Sequence, residues 1–168
     1  QMCIRDRTGY LAMPEKSLEA FKGLWLHTGD RGYVDQNGYF FFQDRMNDSM
    51  RRRGENISSF EVERMINEHP DVSESAVVAV PSELDEDEVL AVIVPRDNKK
   101  LDATELLYFF YDSMPYFMVP RYMRFVSSLP RTPTQKVRKV ELRGEGVTDD
   151  TWDSVLAGFK VTREGILS

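Results

Sequence analysis

Three short stretches set chemically able residues at close spacing. In WLHTGD (25–30) a carboxylate, Asp30, follows a threonine and a glycine, Thr28 and Gly29, and Arg45 comes shortly after. One carboxylate can accept hydrogen bonds from two vicinal hydroxyls, as the acid that reads a dinucleotide's ribose does. Arg45 could add donors to the same sugar. The same residues also suit a turn Asp bonded to its own backbone, with Arg45 in a surface salt bridge. In RRRGEN (51–56) three guanidinium groups precede Gly54 and Glu55. They could receive a polyphosphate, while the missing side chain lets a narrow substituent pass. A solvated basic turn ahead of a capped helix is the plainer reading. In LPRTPTQKVRK (129–139) Arg131, Lys136, Arg138 and Lys139 occur without an acid. Pro130 and Pro133 stiffen this loop, which lowers the cost of aiming Lys136. A lysine ammonium is a compact point charge. Between a carboxylate and a phosphate it would stabilise charge developing on both, provided water is excluded. Such a charge run also describes an ordinary solvated surface.

The elements that must position these residues can be read from local pattern. β-rich runs at about 32–35 and 39–43 flank Asn37-Gly38, a turn pair suited to a hairpin. A short helical pattern lies near residues 16–21. Residues 44–56 are polar and charged, a linker or hairpin, and a compositional border falls near residue 46. Ser58 and Glu61 offer a capping box for a helix bearing Phe60, Val62, Met65 and Ile66, which His69-Pro70 ends. SAVVAV (75–80) and residues 88–94 read as strands. Asp102 and Glu105 cap a second helix with Leu106, Leu107, Phe109 and Phe110 on its apolar side; Pro115 and Pro120 break it. Residues 121–126 alternate as a third strand. A short helix comes next, near 138–143, and Thr148-Asp149-Asp150 opens an expected terminal helix over 148–157. The expected class is α+β, a three-stranded sheet flanked by helices plus a β-hairpin.

Bulk properties exclude several functions. The 168 residues carry 28 acidic and 22 basic side chains, a net charge of −6 without the basic footprint of a nucleic-acid binder. No apolar run approaches the ~18 residues of a membrane span. One cysteine, Cys3, allows no intrachain disulfide, and two distant histidines, His27 and His69, make no metal cluster. This usage fits an intracellular, reducing compartment, and the expected location is the cytoplasm. Residues 1–7 have no period and no continuity of pattern with residues 8–26, so they are read as a non-native leader.

Taken in order and spacing, WLHTGD, Asp44-Arg45, RGENISSFEVE and LPRTPTQK resemble the C-terminal part of acyl-adenylate-forming enzymes, over roughly residues 8–145. RGENIS and TPTQKV look most like acyl-CoA ligases of the carnitine/crotonobetaine-CoA ligase group. The resemblance implies that residues 8–46 are the last strands of a large N-terminal domain otherwise missing. Residues 47–145 would be the small C-terminal domain and 146–168 a tail. It also implies two half-reactions: a carboxylate and ATP give acyl-AMP with Mg²⁺, then coenzyme A displaces AMP. Mg²⁺ would be bound mainly by the missing domain.

By the same carry-over, Asp30, Thr28 and Arg45 would bind the nucleotide. Lys136 would contact the acyl carboxylate and α-phosphate. Gly54, with Arg53 and Glu55, would sit at the coenzyme A entrance, and Asn47 at a hinge. The partners implied are a small carboxylic acid, ATP, coenzyme A and the missing domain. The chain departs from the family at Asp44 before Arg45, Asn47 at the hinge, Gln135 in place of glycine, and Met118 in place of a basic residue. Two other classes share these features: a stand-alone interaction module that keeps the fold without catalysis, and a luciferase-like oxygenase that oxidises its adenylate.

Overall fold

The computed structural model describes residues 9–82 and 86–167, apart from the side chains of Leu24, Gln43, Asn47 and Asn98. The leader and Cys3 lie outside the described residues. The chain divides into two compact units, Gln1–Asn47 and Asp48–Ser168.

In the first unit, helix α1 (Pro14–Ala20) opens with proline, whose absent N–H has no helical partner to lose. None of its side chains is buried. Strands β1 (Asp30–Val34) and β2 (Phe40–Arg45) form the expected antiparallel hairpin. Its loop is longer than a two-residue Asn-Gly turn, because Val34 pairs with Phe40. The cause is Asp35. Its carboxylate accepts from the Asn37 N–H (2.9 Å) and the Tyr39 N–H (2.8 Å), closing an Asx-type turn around Gly38 at φ 84°. The register shifts between Arg31 and Gly32. A Cβ on Gly32 would lie 2.4 Å from both Phe40 Cζ and the Phe41 carbonyl oxygen, so the bulge accepts only glycine. Among the described side chains of this unit only Asp44 is buried. Tyr33 and Phe41 stack on each other (centroids 5.1 Å apart) while both remain exposed.

The second unit begins with a second hairpin, β3 (Ser49–Arg52) and β4 (Glu55–Ser58), closed by Arg53-Gly54 at φ 54° and 79°. Two positive φ values match the twist of a two-residue hairpin. The Ser58 hydroxyl accepts the Glu61 N–H at 3.4 Å and starts α2 (Ser59–Ile66). The buried stripe of α2 is Ser59, Val62 and Ile66. Phe60, expected on the apolar face, lies one residue off that stripe and is 59 % exposed. Strands β5 (Val72–Pro81) and β6 (Asp87–Pro95) pair antiparallel. Asp102 then caps α3 (Ala103–Ser113), its carboxylate accepting the Thr104 and Glu105 N–H groups at 2.8 and 3.0 Å. The chain crosses over to β7 (Tyr122–Phe125), parallel to β6, and continues to α4 (Lys139–Glu145).

The tail departs from expectation. Residues 148–157 form no helix; β8 (Trp152–Asp153) adds antiparallel to β7, so the sheet has four strands, in the order β5-β6-β7-β8. The physical reason is non-local. Arg121 grips the Asp153 carboxylate through Nε–Oδ1 (3.1 Å) and Nη2–Oδ2 (2.9 Å), which holds the segment extended against the sheet. The Thr148 signal serves a turn instead, its N–H donating to Thr151 Oγ1 at 3.1 Å. A short hairpin, β9 (Lys160–Val161) with β10 (Ile166–Leu167), lies beyond it.

Alternation along β5 and β6 feeds two cores. Val77, Val89, Ala91 and Ile93 face α2, α3 and the β3–β4 hairpin; Ala76, Val78, Leu90 and Val92 face Leu129 and Leu142. Both faces are covered, which is why these strands read as nearly continuous apolar runs. The class is α+β, as expected. Among the described residues no helix is long and apolar enough to cross a membrane.

Candidate functional site

In the first unit Asp30 and Arg45 face each other at the open end of the β1–β2 ladder. Arg45 Nε lies 3.6 Å from Asp30 Oδ1, and 34 % of the Asp30 side chain and 65 % of the Arg45 side chain are exposed. The Asp30 N–H donates to Thr28 Oγ1 (3.1 Å), and Gly29 turns the chain at φ 74°. The Gly29 carbonyl accepts the Met46 N–H at 2.8 Å, pinning the ends of the ladder together. The result is a solvent-facing carboxylate with a guanidinium beside it, able to accept from two adjacent hydroxyls. Thr28 and Gly29 also wall an open cavity of about 560 Å³ whose lining does not include Asp30 or Arg45.

In the second unit the arginine run splits. Arg52 is not available to a phosphate: its guanidinium turns inward, donating from Nη1 to the carbonyls of Phe117 (3.1 Å) and Val119 (2.7 Å), with Glu88 Oε2 2.8 Å from Nε. Burial pulls its pKa below the ordinary value, and Glu88 opposes that shift. Arg53 lies over the Tyr116 ring, 5.4 Å from its centroid, and Arg51 is exposed. Gly54 has open space where a Cβ would stand, so its positive φ, rather than crowding, calls for glycine. Glu55 is exposed beside it. Two acids hold this hairpin. The Glu86 carboxylate accepts the N–H of Arg53 (2.6 Å) and of Gly54 (3.3 Å), and Asp87 Oδ2 accepts the N–H of Arg51 (2.8 Å). Sequence reading passed over both. The available signal was an acid run at 85–88 matching the arginine run at 51–53.

The lysine loop closes on itself. The Lys136 carbonyl accepts the Thr132 N–H (2.8 Å), and the Lys136 N–H donates to Thr132 Oγ1 (3.1 Å). Gln135, at φ 65°, takes the left-handed conformation that a glycine would adopt freely. The other three cations each have an acidic partner. Arg131 pairs with Glu74, Arg138 with Glu141 at 2.5 Å, and Lys139 with Glu63 at 2.7 Å and Ser59 at 2.8 Å. Lys136 alone of the four is exposed with no ion-pair or hydrogen-bond partner for its ammonium among the described residues.

The structure does not bring Lys136 and Gly54 together. The lysine loop is tied through Arg131 to Glu74 near the start of β5. The Gly54 turn is tied through Glu86 to the loop just beyond Pro81, at the other end of that strand. Seven residue steps at ~3.3 Å each put the two anchor points roughly 23 Å apart. Asn47 belongs to the turn Met46–Asp48, and the division between units falls just after it. Met118 is buried in the larger core, where its side chain has no access to a nucleotide. Among the described residues no group of three His, Cys, Asp or Glu side chains is arranged to hold a metal ion.

The second unit has the fold of the small C-terminal domain of adenylate-forming enzymes, and residues 61–136 match the family described as the AMP-binding enzyme C-terminal domain. More particularly, the relatives are ligases of carboxylic acids. The chain is 36 % identical over 134 residues to a fatty acid–[acyl-carrier-protein] ligase ScoC of Streptomyces coeruleorubidus, covering 80 % of this chain and 26 % of that one. It is 34 % identical over 150 residues to a crotonobetaine/carnitine–CoA ligase of Salmonella heidelberg (strain SL476), covering 85 % and 29 %. Among solved structures it superposes on the anthranilate CoA ligase AuaEII in complex with anthranoyl-AMP, with TM-score 0.72 and 30 % identity, over 83 % of this chain and 28 % of that one. The chain thus spans between a quarter and a third of the length of these relatives.

Proposed function

We propose that the chain is the C-terminal part of an ATP-dependent acyl-CoA ligase. In the first half-reaction a carboxylate oxygen of the acid attacks the α-phosphorus of ATP. The bond to the bridging oxygen breaks and pyrophosphate leaves. In the second, the coenzyme A sulfur attacks the acyl carbon, the bond to AMP breaks, and the thiol proton passes to solvent. Asp30 accepts from the ribose hydroxyls, with Thr28 holding its backbone and Arg45 beside it. Lys136 neutralises charge at the acyl carboxylate and α-phosphate. Gly54, with Arg53 and Glu55, lines the acceptor entrance. Mg²⁺ would supply charge neutralisation on the ATP phosphates.

The observation that carries this reading is the separation of the two loops. A free lysine at one end of β5 and an open glycine turn beyond the other suit two half-reactions served in succession. Turning of the second unit about Asn47 would exchange them.

The test is Lys136→Ala in the full-length enzyme. Exchange of pyrophosphate into ATP, which reads adenylation, should fall by ~10²–10³. Thioester formation from supplied acyl-AMP should change far less. Equal losses in the two assays would remove Lys136 from the role assigned to it.

A further inference from the structure

We infer that Glu86 is a positioning residue for the acyl-transfer half-reaction, an anionic clamp that sets the Arg53-Gly54 turn; this rests on the ligase reading above. The turn asks for such help. Arg53 is not a glycine, yet it sits at φ 54°, followed by Gly54 at φ 79°. A non-glycine residue in this region is held there at a cost. In a turn, successive N–H groups can converge on one anion. Here the anion is part of the protein. One Glu86 oxygen takes the Arg53 N–H at 2.6 Å and the other the Gly54 N–H at 3.3 Å.

Among the described residues, the neighbouring contacts hold other parts of the hairpin and leave its tip to these two bonds. Asp87 holds the hairpin one step lower, at the Arg51 N–H. Arg52 fastens the base of the hairpin into the core. Arg53's side chain is occupied by the Tyr116 ring rather than by Glu86. Without the carboxylate, the tip would keep its strand pairing and lose the bonds that hold Gly54 left-handed. Lys136 lies beyond the far end of β5 and would not feel the change.

The clamp therefore predicts a one-sided defect. In the full-length enzyme, Glu86→Ala should lower acyl transfer from supplied acyl-AMP to coenzyme A at saturating acceptor by roughly tenfold, since misplacement of this scale costs rates of that order. Pyrophosphate exchange should be unchanged. Glu86→Gln, which keeps one acceptor oxygen, should recover part of the rate. Equal loss in both half-reactions, or none in either, overturns the proposal. A wild-type enzyme active in neither assay would instead sink the ligase reading.

In that event, or if the variants fail to fold, amide exchange on the unmodified chain decides. The Arg53 and Gly54 amides should exchange well below the rate of an unstructured peptide of the same sequence. Exchange at that unstructured rate means no clamp exists.

Discussion

At the scale of single residues, charge alone is a poor guide to role. Seven cations in two basic runs have similar local surroundings in sequence, yet their partners separate them. Arg131, Arg138 and Lys139 are spent on Glu74, Glu141 and Glu63, leaving Lys136 unengaged among them. Arg52 is the opposite extreme, with 4 % of its side chain exposed and two backbone carbonyls and Glu88 depending on it. Replacing one member of a buried ion pair leaves the other uncompensated, at a cost of about 3–5 kcal/mol. Arg52→Met should therefore lower unfolding stability by that order in urea titration. A change below ~1 kcal/mol would mean that Glu88 and the carbonyls find water instead. Sequence left the three arginines open to a polyphosphate or to solvent; Arg52 meets neither, because inward or outward direction depends on what packs beneath the hairpin. Only the positions of Phe117, Val119 and Glu88 settle that.

At the scale of elements, most boundaries were legible because their causes are local. Ser58 and Asp102 cap helices through their own side chains, and Pro115 follows directly on the end of α3. The tail was misread for the complementary reason. Thr148-Asp149-Asp150 has the composition of a helix start, but a remote arginine captures Asp153 and extends the segment into β8. Burial by itself would push the Asp153 carboxyl up; the Arg121 guanidinium and the N–H groups of Val155 and Leu156 outweigh it and hold the group below its ordinary range. A carboxyl with a depressed folded pKa stabilises at pH above its unfolded value and loses that contribution as pH falls through the lower folded value. The stability gap between wild type and Asp153→Asn should thus be constant from neutral pH down to about pH 4, the ordinary range for aspartate, and shrink below it. Urea midpoints at pH 7 and at more acid pH measure this. A gap that persists unchanged at the lowest pH where the chain stays folded would contradict the assignment.

At the scale of the whole molecule, the two units differ in kind. The second has two covered sheet faces and a core that includes Leu106, Leu107 and Phe110 with none of their surface lost to solvent beyond 1 %. The first exposes Trp25, Tyr39, Phe40 and Phe42 by more than half. A hairpin with aromatic side chains on both faces and little to bury them is only marginally stable by itself. The relatives are about three times as long as this chain, and in the proposed function most of the adenylate's binding surface belongs to the additional length. The 168-residue chain alone, given ATP, coenzyme A and a panel of carboxylic acids, should therefore form no thioester. Detectable thioester would show that Asp30, Arg45 and Lys136 suffice. Amide exchange should likewise be faster over residues 30–45 than over β5 and β6.

What the sequence determined by itself was the series of elements and the α+β class, since caps, turns and apolar alternation act over a few residues. It also carried the likeness to adenylate-forming enzymes, through motifs whose order survives in the chain. Tertiary structure alone decided which cation stays free, that Arg52 faces inward, that the tail completes the sheet, and that Glu86 holds the Gly54 turn. Apart from Arg138–Glu141, three residues apart, each of these is a pairing between residues tens of positions apart. An arginine and a carboxylate carry no sign of which partner they will meet until the sheet brings them within hydrogen-bond reach.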